Sequence, residues 1–127
     1  MPHLNIEYSQ NLDGTVDIST LCDVVRKAAI DTGVFPMPGI RVRAFAATHV
    51  SIADGDPRHG FIDISVRLRA GRSDADKARA TQAIFSATER FLVPVMEDHP
   101  IALSLEMRDI DPTLSPKTST IRNFLKA

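Results

Sequence analysis

Ser51-Ile52-Ala53-Asp54-Gly55-Asp56-Pro57-Arg58-His59-Gly60 lies near the middle of the 127-residue chain and separates two runs in which apolar and polar residues alternate. From Ala53 to Gly60 it is dense in turn formers and is expected to be an exposed loop. Upstream of it, Ile40, Val42, Ala44 and Ala46 point to one face and Arg41, Arg43 and Phe45 to the other, a pattern that fades towards Val50. Downstream, from Phe61 to Arg69, Ile62, Ile64, Val66 and Leu68 alternate with Asp63, Ser65, Arg67 and Arg69. A period of two is that of half-buried strands. The connector is long for a hairpin, which argues against pairing these two strands directly.

Working towards the N-terminus, Phe35-Pro36-Met37-Pro38-Gly39 is a stiff connector, because neither proline donates a backbone hydrogen bond and each biases the residue before it away from helix. Before it, Asp17 caps a helix expected over about 17 to 32, whose apolar stripe is Ile18, Leu21, Cys22, Val25, Ala28 and Ala29 and which closes at Gly33. Leu4, Ile6 and Tyr8 alternate with His3, Asn5, Glu7 and Ser9, giving a first strand that starts at Pro2. Towards the C-terminus, Ser73 and Asp76 resemble a capping box opening a second helix. Ala80, Ile84, Phe85, Thr88, Phe91, Leu92 and Val95 form its apolar face, with Pro94 expected to kink or end it near Phe91. A fourth strand is expected from Ile101 to Met107, and Ser119 could cap a short terminal helix carrying Ile121, Phe124 and Leu125.

The order strand, helix, strand thus occurs twice, a weak internal repeat with one unit over about 2–50 and the second over about 60–108, followed by a C-terminal extension over 109–127. One domain over 1–127 is expected. Each strand has one apolar and one polar face, which places both helices on the same side of a four-stranded sheet in an α+β fold. The other side would carry Glu7, Arg41, Arg43, Asp63, Arg67, Arg69, Glu106 and Arg108, a face that is either solvated or used to meet other subunits. Two folds share this order of elements: the ferredoxin-like sandwich, in which strands 2 and 3 form a hairpin, and the tautomerase fold, built from two parallel strand-helix-strand units. The long Ser51–Gly60 connector tilts the choice to the second.

Composition narrows the function. Lys and Arg total 15 against 16 Asp and Glu, for a formal net charge of -1, which removes a simple electrostatic case for nucleic acid or anionic lipid. With 43% hydrophobic and 24% charged residues the composition is that of an ordinary globular core. The single Cys22 has no partner in the chain, which suits a reducing compartment, and neither a signal peptide nor a membrane segment is expected. The expected location is the cytoplasm. His3, His49, His59 and His99 are scattered without metal-ligand spacing and read as surface histidines, Asp54-Gly55-Asp56 reads as turn chemistry rather than a calcium loop, and Cys22 reads as a core residue. No metal and no organic cofactor is expected.

The most informative residue is Pro2. Removal of an initiator Met before a small residue would expose a secondary amine, and burial or nearby Arg charges would lower its pKa towards neutrality by disfavouring the ammonium form. Such an amine is a plausible general base; the plainer alternative is that Pro2 only starts a strand. Pro2-His3 followed by Glu7, Thr32-Gly33-Val34-Phe35-Pro36 with Gly39-Ile40-Arg41-Val42-Arg43, Ala53-Asp54-Gly55, Ala70-Gly71-Arg72-Ser73, Ala102-Leu103-Ser104 and Pro112-Thr113-Leu114 together resemble the 5-carboxymethyl-2-hydroxymuconate delta-isomerase family of the tautomerase superfamily over nearly the full chain. The resemblance implies that Pro2, freed of Met1, is the catalytic base, that Arg41 and Arg72 bind substrate, and that three copies assemble around a central barrel. It further implies an isomerase acting on a small polycarboxylate in aromatic-compound degradation.

Elementary chemistry agrees with those two arginine roles. Arg72 sits between strand 3 and helix 2, where free backbone N–H groups and the helix dipole favour an anion. Arg41 opens strand 2 directly after the stiff turn, so its guanidinium fork is held near one end of the sheet. For each the alternative is a solvated charge or a subunit salt bridge. Two further readings of the whole chain remain at this stage. One is a tautomerase-fold protein without activity, serving in binding or assembly. The other is a ferredoxin-like RNA-binding module, for which Tyr8 and Phe61 are the only candidates for stacking aromatics on the central strands.

Overall fold

The computed structural model describes residues 1–126. Its strands are β1 (His3–Ser9), β2 (Arg41–Ala47), β3 (Gly60–Arg69) and β4 (Ile101–Ile110), with helices α1 (Ile18–Asp31) and α2 (Asp74–Met96). Both caps act as expected: the Asp17 side chain accepts from the backbone N–H of Thr20 at 3.1 Å, and the Ser73 hydroxyl oxygen accepts from that of Asp76 at 3.1 Å.

The strand order is β2-β1-β3-β4. β1 and β2 run parallel, β3 and β4 run parallel, and the two units meet through the antiparallel pair β1 and β3. β2 and β3 are not neighbours, so the Ser51–Gly60 stretch is a crossing loop and the ferredoxin-like hairpin is excluded. Instead of being closed by a turn, the two units are joined by antiparallel backbone pairing of their first strands: Ile6 stands opposite Ile64, and Ile64 in turn opposite Leu105.

The inward faces of the strands (Leu4, Ile6, Tyr8, Ile62, Ile64, Val66, Leu68) pack beneath Leu21, Val25, Ala28 and Ala29 of α1 and Ala80, Ile84 and Leu92 of α2 in one cluster. Both helices therefore cover the same side of the sheet. Ile64 is completely buried at the centre of that sheet. Ile64→Val, which deletes one methyl group there, should cost about 1 kcal/mol of stability, read as a lower denaturant midpoint at fixed protein concentration.

Three boundaries differ from the sequence reading, each for a physical reason. α2 continues through Pro94 to Met96 instead of ending near Phe91. Pro94 and Arg90 are both exposed, so the Arg90 carbonyl that loses its helical donor is free to bond water, while Leu92 on the opposite side keeps the helix docked. β4 runs to Ile110 rather than Met107, because β3 is long enough to pair with it as far as Arg69. The terminal element is a 3-10 turn over Ile121–Phe124, with the Ser119 hydroxyl accepting from the Ile121 N–H at 3.2 Å and Leu125 outside it. No helix among the described residues is long and apolar enough to cross a membrane.

Candidate active site

The topology gathers one end of the sheet. Parallel pairing puts the starts of β1 and β2 together, and antiparallel pairing puts the end of β3 beside them. β4 ends there too, and α2 starts there. The outer face of the sheet at this end is a row of four side chains, Arg41, His3, Arg67 and Arg108, in cross-strand register. Gly71 lies between β3 and α2 with φ of +122°, a conformation that L side chains rarely adopt, and its turn aims Arg72 back towards the same end.

Pro2 directly precedes β1 with its ring fully buried, and its carbonyl accepts from the Arg41 N–H at 3.2 Å. In front of it lies Met1. A Cβ on Gly39 would stand 2.6 Å from the Met1 nitrogen and 3.3 Å from its carbonyl carbon, so the absence of a side chain at 39 is what leaves room for anything attached to, or approaching, the Pro2 nitrogen. The Pro36–Gly39 connector that stiffens the chain thus also clears the space before the proline.

Three depressions adjoin this point, of about 370, 280 and 570 Å³. Arg41 lines the first and third, Arg69 the second, and His3 and Arg67 the third. Among the described residues no Asp or Glu lines any of them, and none of Arg41, Arg67, Arg69, Arg72, Lys117 or Arg122 has a carboxylate within salt-bridge distance. The cationic guanidinium forks are steadied instead by backbone: Arg41 donates to the Gly39 carbonyl at 3.1 Å and Arg72 to the Arg69 carbonyl at 3.2 Å. Each retains further N–H donors for an incoming anion.

The charges show in the titration of the chain terminus. The Met1 amine is held below the ordinary value, first by burial, then by the positive charges of Lys117, Arg41 and Arg72. His3 is likewise pushed down by burial and by Arg43, Arg67 and Arg41. Arg43 donates to His3 Nδ1 at 3.1 Å, and a guanidinium only donates, so the imidazole is neutral with its proton on Nε2.

Of the three expected site residues, only Arg41 lines the depressions; Pro2 is buried next to Met1 and tied to Arg41 through its carbonyl, and Arg72 reaches the terminal amine through its charge without lining the cavities. Sequence reading missed His3, which is half-buried in a cluster of arginines rather than a free surface histidine, and it missed Lys117 and Arg122. A signal for the last two was present: after Asp111 the chain contains Lys117, Arg122 and Lys126 and no acid. Cys22 is part-buried against the core, and burial pushes its thiol up, away from nucleophilic thiolate character. No group of three or more His, Cys, Asp or Glu side chains suited to a metal ion occurs among the described residues.

Two parallel strand-helix-strand units joined through their first strands, both helices on one side, make this the tautomerase fold, with Pro2 following Met1 at a corner set among cations. The family model for 5-carboxymethyl-2-hydroxymuconate isomerase matches residues 2–125. The chain belongs to that family. It is 29% identical over 126 residues to the 5-carboxymethyl-2-hydroxymuconate Delta-isomerase of Escherichia coli, covering 99% of this chain and 100% of the relative. A crystal structure of a 5-carboxymethyl-2-hydroxymuconate delta-isomerase superposes with a TM-score of 0.91 at 30% identity, covering 100% of this chain and 95% of that one. A 5-carboxymethyl-2-hydroxymuconate isomerase from Deinococcus radiodurans R1 superposes with a TM-score of 0.88 at 26% identity, covering 98% of this chain and 95% of the other.

Proposed function

We propose that this chain, once Met1 is removed, isomerises a 2-hydroxydienoate of the 5-carboxymethyl-2-hydroxymuconate type to its 2-oxo-3-ene form, with Pro2 as general base and Arg41 and Arg72 as carboxylate and oxyanion anchors. The observation that carries the reading is the acid-free, cation-lined corner around the chain's terminal nitrogen. With Met1 attached, the Pro2 nitrogen is an amide and has no basicity. Freed, it is a secondary amine beside the same positive charges that lower the Met1 amine. An amine with a lowered pKa is neutral in a larger fraction of molecules at a given pH and so better able to accept a proton.

The proline nitrogen takes the proton of the 2-hydroxyl group, the O–H electron pair stays on oxygen to form the dienolate, and the charge spreads over the 2-oxygen, carbon 3 and carbon 5. Arg72 and Arg41 stabilise that charge by charge-assisted hydrogen bonds. The prolinium then returns a proton to carbon 5, so one O–H bond is lost, one C–H bond is gained, and the enzyme is regenerated. Protons and electrons balance without a metal or organic cofactor. The substrate's three carboxylates match a site with several unpaired cations, since an apolar pocket would reject them.

The family resemblance and the charged outer face of the sheet also support a homotrimer, three sheets closing with these faces inward. On that face the cations Arg41, Arg67 and Arg108, in one row with His3, are offset from acidic Glu7 and Asp63. Asn5 lies between them, its buried Oδ1 without a hydrogen-bond partner among the described residues. The cytoplasm is the location that fits the single free cysteine.

The test combines intact mass, to establish that Pro2 is the first residue, with an ultraviolet assay on 5-carboxymethyl-2-hydroxymuconate and light scattering. Turnover by a trimer is the expected result. A correctly processed sample that leaves the compound unchanged overturns the catalytic reading in favour of a binding or assembly role for the same fold.

A further inference from the structure

We infer that Lys117, with Arg122 beside it, is the anchor for the substrate's third carboxylate, so that the segment from Pro112 to Asn123 sets the preference for a tricarboxylate over a dicarboxylate. The inference rests on the reading of Pro2 and its arginines given above and assigns a role to a part of the chain that reading does not use.

Lys117 is placed by the end of β4. At Ile110 the strand finishes beside Arg69 at the end of β3, and Asp111 turns the chain by accepting from the Thr113 N–H at 2.9 Å and from the Thr113 hydroxyl at 2.7 Å. The 3-10 turn Pro112–Leu114 and then Ser115-Pro116 carry the backbone across the corner in front of Met1. The result is that Lys117, alone with Met1, lines all three depressions. Arg122 lines the 370 Å³ depression together with Arg41, Pro36, Pro38 and Gly39.

Lys117 is exposed, and neither it nor Arg122 has a carboxylate partner among the described residues. The contrast with Lys77 is instructive, because that lysine is tied to Asp109 at 3.3 Å and to Asp74 at 3.5 Å. Two arginines suffice for two carboxylates. Lys117 differs from the other unpaired cations Arg67 and Arg69 in lining all three depressions and, like Arg41 and Arg72, acting through its charge on the terminal nitrogen, which suits it to a further anion. A flexible ammonium there accepts a carboxylate borne on a rotating methylene arm, as the carboxymethyl group is, better than a planar fork in fixed register would.

Charge also reaches the amine. Groups facing it are Arg41 of β2, Lys117, Arg72 at the start of α2, His3 along β1, and Arg67 and Arg69 at the end of β3. Loss of the Lys117 charge therefore raises the amine pKa for every substrate alike, and only a ratio between substrates isolates the third anchor.

The experiment is the ratio of KM for 2-hydroxymuconate, which lacks the carboxymethyl arm, to KM for 5-carboxymethyl-2-hydroxymuconate, in wild type, Lys117→Met, Lys117→Arg and Arg122→Met. In parallel, calorimetry measures binding of propane-1,2,3-tricarboxylate and glutarate to the processed chain. Wild type is expected to prefer the three-carboxylate member of each pair by about tenfold. Lys117→Met should bring the preference close to one, Lys117→Arg should restore most of it, and Arg122→Met should reduce it severalfold. An unchanged preference in Lys117→Met, in turnover or in calorimetry, overturns the inference. If neither muconate is turned over, the catalytic reading fails separately, and the calorimetric ratio still decides whether Lys117 holds a third carboxylate.

Discussion

Pro2→Ala in the processed chain should lower kcat/KM by a factor on the order of 10² to 10⁴, the range in which a positioned general base contributes. The substitution leaves an amine at the terminus, so the loss comes from geometry and basicity together. The pyrrolidine ring is fully buried, and its nitrogen direction is fixed by the ring and by the Pro2 carbonyl bond to the Arg41 N–H. An alanine terminus leaves the ring's space empty and turns its primary amine freely about the N–Cα bond, outside the alignment that proton transfer requires. Intact mass must show that the variant chain has lost Met1 and starts at the introduced alanine, and circular dichroism must show the native fold. Retention of half the wild-type rate would contradict a role for the proline nitrogen.

Arg72→Ala should cost about 10²-fold in kcat/KM, as removal of a donor aimed at developing oxyanion charge does. The Arg72 guanidinium is braced by the Arg69 carbonyl at 3.2 Å and aimed by the Gly71 turn, so its orientation is set before substrate arrives. Arg72→Lys should recover only part of the loss, because an ammonium group cannot reproduce the two-pronged contact. The same change has a sign on the pH profile. Arg72 is one of the charges that hold the terminal amine low; the base must be neutral to act, so without Arg72 the acid limb of kcat/KM moves to higher pH. Full activity in Arg72→Ala with an unshifted limb would remove this residue from the site.

Much of this was legible because alternation and capping are local. The period-two runs from Leu4 and from Ile62, the caps Asp17 and Ser73, and the length of Ser51–Gly60 were enough to order the elements and to favour unpaired β2 and β3. Pro94 was misleading because a proline's cost depends on which side of the helix loses its hydrogen bond, and here that side faces water. Lys117 and Arg122 were not legible as site residues. They follow a Ser-Pro break with no periodicity, and only the pairing of β4 with β3 as far as Ile110 carries them to the opposite end of the chain. His3 was hidden for a related reason: its neighbours Arg41, Arg43 and Arg67 are brought beside it by strand register, which single-strand periodicity does not reveal.

The central claim is that a free Pro2 nitrogen, made weakly basic by burial and by surrounding cations, is the group that moves the proton. The pH titration of that nitrogen, labelled with ¹⁵N in the Met1-free chain and followed by NMR, tests it most directly. The account predicts a midpoint below the ordinary terminal-amine range of roughly 7.7 to 8.0, coincident with the acid limb of kcat/KM. A midpoint at or above that range, or an acid limb unrelated to it, would contradict the account.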